Sequence, residues 1–319
     1  MTRFGYFLSC EEYAPDELLE QARLAERAGF DSLWISDHFH PWTNAQGQSP
    51  FVWSMIGAVA QVCDLPVTTA VTCPTVRTHP AIVAQAAATS AVLLGEGRFT
   101  LGVGTGEALN EHVLGDRWPH TELRLEMLEE AVEVIRQLWT GEVVSREGRH
   151  YTVDTARIYT LPDQPPPIYM SAFGPKALDV ACRIADGFIT TQPDAESVET
   201  FRAAKGADAL TQAGFKVAWG PTRDDAIDAA FERWPNSGVP GELSQVLPSP
   251  QHFEQASELV TREAFAEKGA FGPDVAAHVE AYAPFVDAGF DEVYVANMGP
   301  HYADMIAAYG SDVLPQLRG

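Results

Sequence analysis

Three short segments of the 319-residue chain carry residue types that could move a proton beside a bound ring. In Ser36-Asp37-His38-Phe39-His40-Pro41-Trp42, a histidine follows an aspartate just past an apolar run. An imidazole placed there can be oriented and tuned near neutral pH to work as a general base. A metal held by His38 and His40 would need extended chain and a third ligand, and the sequence offers no matching third ligand. The segment Gly102-Val103-Gly104-Thr105-Gly106-Glu107-Ala108-Leu109-Asn110-Glu111 lets backbone approach a ligand and presents N–H groups ahead of helical sequence. It is not a dinucleotide fingerprint, which would put glycine where Glu107 stands. Glu107 reads either as a carboxylate favoured by a helix N-terminus or as a carboxyl across a pocket from His38. Ala70-Val71-Thr72-Cys73-Pro74-Thr75 suggests an irregular strand end that shapes a flat apolar ring pocket. No Walker, Gly-x-Ser-x-Gly or His-Glu-x-x-His sequence occurs, which removes the best-signposted kinase and hydrolase readings.

The elements that must position these segments alternate in type from end to end. Short apolar runs are expected as strands at 4–8, 32–35, 67–71, 99–103, 168–171, 187–190, 216–219 and 292–296. Helical patterns lie between them, including 15–28, 51–62, 80–94 and 122–140. Pro15 is an N1-type proline, and Gly29 is the matching stop signal. In the 122–140 helix, Leu123, Met127, Leu128, Ala131 and Ile135 share one face. Eight alternating units predict an α/β fold, a closed (β/α)8 TIM barrel with insertion segments, formed by residues 1–319 as one domain. Residues 143–159 read as an excursion, and 234–272 as a lid or pocket insertion whose second half, 253–266, is helical. The phrase "AGFDEVYVA" echoes "AGFDSLWIS" and hints at repeated βα construction. In such a barrel the chemistry sits beyond the carboxyl ends of the strands, where the three segments fall.

Composition narrows the partners. Lys+Arg 21 against Asp+Glu 44 gives 21 − 44 = −23, a field that repels nucleic acid and anionic membrane surfaces. No run approaches the roughly 18 apolar residues a membrane span needs. The first residues show no signal-peptide pattern, and Cys10, Cys63, Cys73 and Cys182 lack metal or redox spacing. A cytoplasmic protein with a small-molecule substrate is therefore expected.

The same loops resemble a known family. "SDHFHPW" at 36–42, "GVGTGEALNE" at 102–111, "RLEMLEEAVEVIRQLWTGE" at 124–142 and "FGPKALDVACRIADGFITT" at 173–191 are similar to the deazaflavin branch of the bacterial-luciferase-like barrels, above all the coenzyme F420-dependent glucose-6-phosphate dehydrogenases. The resemblance runs nearly the whole length and is weakest across 195–270. It implies an F420-dependent dehydrogenase or reductase in which His38 takes the substrate hydroxyl proton as hydride moves to C5 of the deazaflavin. Trp42 would pack beside the reacting centre, and Glu107 would serve the far edge of the ring. Asp37, Val71, Cys73, Thr105, Gly106 and Asn110 would contact the cofactor, with Phe173, Gly174, Lys176 and Ala177 around its phosphate-bearing tail. The resemblance also implies a non-proline cis peptide at Ala70-Val71 and a homodimer.

Two departures bear on the substrate. Thr191 keeps the first of the phosphate-holding positions of the sugar-phosphate enzymes, but Asp194 stands where they have a lysine; the second lysine place falls at Gln255 and the arginine place near Lys268. Cys73 replaces a threonine against the cofactor. An aspartate beside a phosphate repels it, so an alcohol or carbonyl substrate other than glucose 6-phosphate is expected. The alternatives are an FMN-dependent monooxygenase of the same barrel type and a deazaflavin-binding protein without catalysis.

Overall fold

The computed structural model describes residues 2–319. Its strands and helices run β1 (Arg3–Leu8), α1 (Pro15–Ala28), β2 (Leu33–Ile35), α2 (Val52–Val59), β3 (Val67–Thr69), α3 (Pro80–Leu94), β4 (Phe99–Val103), α4 (Ala108–Glu111), α5 (Thr121–Leu138), β5 (Val144–Glu147), β6 (Thr152–Ala156), β7 (Ile168–Ser171), α6 (Pro175–Ile184), β8 (Gly187–Thr190), α7 (Ala195–Lys205), β9 (Thr211–Val217) and α8 (Arg223–Arg233), with β10 (Glu292–Asn297) last among the strands. Eight strands close in the order β1-β10-β9-β8-β7-β4-β3-β2, every pair parallel, and β5 and β6 form a separate antiparallel hairpin. The expected TIM barrel is the observed fold.

Local chemistry explains where elements begin and end. α1 starts at Pro15, and Gly29 closes it at φ 87° with its N–H on the carbonyls of Ala25 and Glu26. α3 starts at Pro80, with Ala81 N–H donating to His79 Nδ1 at 3.1 Å. The echoed Ala-Gly-Phe-Asp phrases do the same work twice. Asp31 accepts from Phe4 N–H and Asp291 from Thr211 N–H, each at 2.8 Å, and each is paired with an arginine, Arg318 or Arg202. Asp186 repeats the device, accepting from Ile168 N–H at 2.9 Å and pairing with Arg136. These clasps tie the amino-terminal ends of neighbouring strands together.

The barrel interior is solid. Phe7, Trp34, Tyr169, Ile189, Tyr294 and Ala296 fill it, with Ala70 and Val71 packed on top. Trp34 and Tyr294 stack with centroids 4.4 Å apart. Glycine makes room for them: a Cβ at Gly214 would stand 2.3 Å from Trp34, and one at Gly5 2.3 Å from Tyr294.

Several boundaries differ from expectation. β9 begins at Thr211, five residues before Lys216, because its first half is polar and glycine-bearing and is buried by neighbouring strands. β3 stops at Thr69; the chain then bends through a cis Ala70-Val71 peptide and rejoins the sheet as a bridge between Thr72 and Val103. In α5 the buried face is wider than expected, taking in Leu125, Val132, Val134 and Leu138 while Leu123 and Met127 are half-buried. The helical half of the 234–272 segment is two helices, Pro250–Ser257 and Arg262–Ala266, broken where Thr261 caps the second. The 143–159 excursion is the β5–β6 hairpin. It is fastened by Tyr151, whose hydroxyl donates to Thr75 O at 3.0 Å, and by Glu130, which accepts from Tyr151 N–H at 3.0 Å.

Candidate active site

His38 stands past the end of β2 with only 10% of its side chain exposed. Its Nε2 lies 3.3 Å from Glu11 Oε1 and 3.9 Å from Glu107 Oε1. Its Nδ1 meets two partners, His40 O at 3.1 Å and Asn110 Nδ2 at 2.9 Å. The Asn110 amide is oriented by its environment, since Oδ1 accepts from Phe39 N–H at 2.8 Å and His40 N–H at 3.0 Å. With a proton on Nδ1, the ring donates to His40 O and keeps a lone pair at Nε2. With the proton on Nε2, the ring faces the Glu11 carboxylate 3.3 Å away while Nδ1 accepts from Asn110. Both tautomers and the imidazolium therefore have partners, as a proton-exchanging group requires. Trp42 packs edge-on against His38 at 5.0 Å and against Phe253 of the Pro250–Ser257 helix at 5.1 Å, linking the β2 loop to the inserted segment.

Glu11 lies just past β1, and the sequence reading missed it. Burial pushes its carboxyl upward, but His38, Lys216 and the Ser36 hydroxyl, which donates to it at 2.6 Å, outweigh that and hold it below the usual range. The neighbouring Glu12 goes the other way. Burial raises it to about 7, although it accepts from Trp234 Nε1 at 2.5 Å and Gly299 N–H at 2.8 Å and pairs with Arg233 at 3.3 Å. Lys216, on β9, has its ammonium 4.6 Å from the Trp234 ring and 5.5 Å from that of Phe7. Burial lowers its pKa, with Glu11 and Glu12 pulling it back up. Two adjacent carboxylates at a strand's carboxyl end, and a lysine within a buried strand, were the signals that could have revealed all three.

Other expected positions fall differently. Asp37 is tied within the chain, accepting from Arg77 Nη2 and from the Thr72 hydroxyl, both at 2.8 Å. Arg77 Nε is also 3.5 Å from Glu111, whose carboxyl burial raises to about 7. Asn110 is 1% exposed, and its amide is spent on the β2 loop, His38 and Glu107. Nor does Glu107 lie across a gap from His38. At 3.9 Å no ring fits between them, since two van der Waals contacts need about 7 Å; Glu107 precedes α4, and Asn110, three residues on, draws its carboxylate inward. Lys176 Nζ turns outward to Glu122.

The remaining residues form a coherent rim. Gly104 backs onto Val71, where a Cβ would come within 2.7 Å, and Gly106, at φ 76°, backs onto buried Cys73. Thr105 lies between them, half-buried. α6 begins at Gly174 with no side-chain cap, a Cβ on Gly174 would meet nothing within 4 Å, and Phe173 beside it is exposed. A ledge at Val71, a glycine loop and an uncapped helix start fit a flat ring with an anionic tail. A cavity of about 700 Å3 is lined by Thr191, Lys216 and Lys268. Asp194 lines a separate one of about 640 Å3, with its carboxylate capping α7 through Glu196 N–H at 3.1 Å and Ser197 N–H at 3.2 Å. Among the described residues no cluster of three or more His, Cys, Asp or Glu could hold a metal, and no helix is long and apolar enough to cross a membrane.

Comparison with known proteins agrees with this architecture. The family model described as luciferase-like monooxygenase matches residues 2–292. The chain is 37% identical to the F420-dependent glucose-6-phosphate dehydrogenase of Microbacterium testaceum, over 99% of this chain and 97% of that protein. The enzyme of the same name from Nakamurella multipartita is 38% identical over 99% and 96%. Among solved structures, an F420-dependent secondary alcohol dehydrogenase in complex with an F420-acetone adduct superposes with a TM-score of 0.91, at 31% identity, covering 100% of this chain and 99% of that one. The chain therefore belongs to the luciferase-like family, in the branch occupied by the F420-dependent dehydrogenases.

Proposed function

We propose that the protein is an F420-dependent dehydrogenase or reductase that exchanges hydride between a neutral alcohol or carbonyl compound and the deazaflavin, and that glucose 6-phosphate is not its substrate. The observation that carries this is His38, an imidazole at the barrel mouth with a partner for every protonation state. The bound deazaflavin supplies a two-electron acceptor at C5 that does not activate oxygen. Val71 and Cys73 would support its ring, Thr105 and Gly106 its edge, and Phe173, Gly174, Lys176 and Ala177 its tail. His38 holds or releases the substrate hydroxyl proton at Nε2, Glu11 steadies the imidazolium, and Trp42 shields the reacting centre from water. Glu107 can serve the far edge of the ring once its carboxylate turns away from Asn110.

The choice of a neutral substrate is supported by the likeness to a secondary alcohol dehydrogenase and by acidic residues beside both cavities. We also propose that residues 1–319 act as one barrel unit, that the 234–272 segment covers the site, and that the protein works as a homodimer. α3 is apolar on all sides, and Ile82, Val92 and Leu93 on its outer face are 58%, 44% and 46% exposed. The test is a panel of alcohols, ketones, sugar phosphates and nitro compounds, read by the visible absorbance of F420, with FMN offered in parallel. Turnover of neutral alcohols or ketones with F420 is expected; saturation by FMN alone, or glucose 6-phosphate as the best substrate, would refute the assignment.

A further inference from the structure

β8 pairs with β9 only from Phe188↔Thr211 to Thr190↔Ala213, yet β9 runs on to Val217. Beyond Thr190 the two strands part, and the chain returning from the inserted segment closes the top of the opening: Ala218 N–H donates to Ala270 O at 3.0 Å, and Gly272 N–H to Ala218 O at 2.9 Å. The result is a side window in the barrel wall that opens into the cavity of about 700 Å3. Phe265, Phe271, Phe285 and Met298 give it apolar walls, Thr191 lies at one edge, and Lys216 reaches it from within the barrel. Drug-sized ligands occupy pockets of about 300 to 1,000 Å3, so this space exceeds what a three-carbon alcohol needs.

Lys216 is half-buried on the wall of this cavity. Its ammonium lies against the Trp234 and Phe7 rings and makes no hydrogen bond or salt bridge among the described residues. Its three N–H donors beside the cavity are free to donate to an acceptor oxygen of a ligand. An anion is not what the surroundings favour. Glu11 and Glu12 already act on Lys216 from behind, and Lys268 shares the cavity lining with Glu267 and Glu280. No surplus positive charge is left for a phosphate or carboxylate.

We infer that the substrate is an extended, mainly apolar alcohol or ketone that carries a second, uncharged oxygen. Resting on the dehydrogenase reading above, its reacting carbon lies at His38, its second oxygen accepts from Lys216, and its hydrocarbon body enters the window between β8 and β9. Lys216 is then a specificity-determining residue rather than a proton carrier.

Binding can be measured by calorimetric titration of the protein as isolated, with no cofactor, using a series of 2-alkanones of rising length and matched ketones with a second keto or ether oxygen. Kd is expected to fall about fourfold for each methylene the chamber buries, and a further tenfold or so for a well-placed second oxygen. Lys216→Met should erase the second-oxygen gain, and Ala277→Phe, on the chamber wall, should erase the chain-length gain. A flat chain-length series in the wild type, which needs no variant to fold, would overturn the inference, as would tighter binding of a carboxylate or sugar phosphate of equal size. The two readings fail separately. Turnover with F420 beside a flat series removes the chamber assignment alone, whereas the expected series without F420-linked turnover removes the dehydrogenase reading.

Discussion

Replacing Arg77 by methionine should strip the charge from beneath the β2 loop while keeping most of the side-chain volume. In the native arrangement the guanidinium is 2.8 Å from Asp37 and 3.5 Å from Glu111, and all three side chains are 10% exposed or less. At an effective dielectric of about 20, one such contact near 4 Å is worth about 4 kcal/mol, and breaking a buried pair by removing one partner costs about 3 to 5 kcal/mol. In a chain of this length that corresponds to a fall in Tm of about 4 to 7 °C. The loss should depend on pH. Glu111 is raised from 4.5 to about 7 in the folded state, so the stability it contributes is complete below 4.5 and disappears as pH rises through about 7. Without Arg77, which pulls it down, it climbs further. The penalty of Arg77→Met should therefore be largest at pH 8 and shrink by pH 5, where the carboxyl keeps its proton. Urea unfolding at both pH values, followed by circular dichroism, measures this. A penalty under about 1 kcal/mol, or one equal at the two pH values, would show that Asp37 and Glu111 do not depend on Arg77.

Four further outcomes can be checked directly. Glu11→Gln should slow turnover about a hundredfold and alter the shape of the pH–rate profile while leaving the unfolding midpoint within a few degrees; an unchanged profile would remove Glu11 from the proton path. Gly102→Ala should destabilise the fold by about 3 kcal/mol or more, because the added Cβ would stand 1.9 Å from the Thr69 carbonyl oxygen; denaturant titration decides it. Glu12, raised from 4.5 to about 7, should cost the wild type up to about 3 kcal/mol between pH 5 and pH 8, an effect absent in Glu12→Leu. Ile82→Glu combined with Leu93→Glu should halve the mass seen by light scattering if α3 meets a second copy; an unchanged mass would locate the interface elsewhere.

What could be read from the sequence follows from how local each signal was. α3, β4, β7 and β8 were delimited to the residue because proline, glycine and short apolar runs mark their ends within a few positions. Gly29 was legible as a stop because αL backbone is a glycine property that needs no tertiary partner. β9 was not, since Thr211–Phe215 is strand only by virtue of its neighbours in the barrel. The same limit governs the site. His38, Glu107 and Trp42 were found because adjacency and loop position single them out, and the structure brings His38 together with both. Glu11 and Lys216 escaped because their meaning lies in distant partners: His38 is 27 residues from Glu11, and Phe7 is 209 residues from Lys216. The contact of Asp37 with Arg77, 40 positions away, is likewise invisible to local pattern.

The three aspartate–arginine clasps lie at the end of the barrel opposite His38, and the aromatic column separates the two ends. Fastening and chemistry thus occupy different ground, and loops at the working end can be exchanged without loosening what closes the sheet. That division of labour accounts for a backbone held in common with a secondary alcohol dehydrogenase at a TM-score of 0.91 while 31% of residues are shared. A lineage built this way can change what it acts on far more readily than how it is put together.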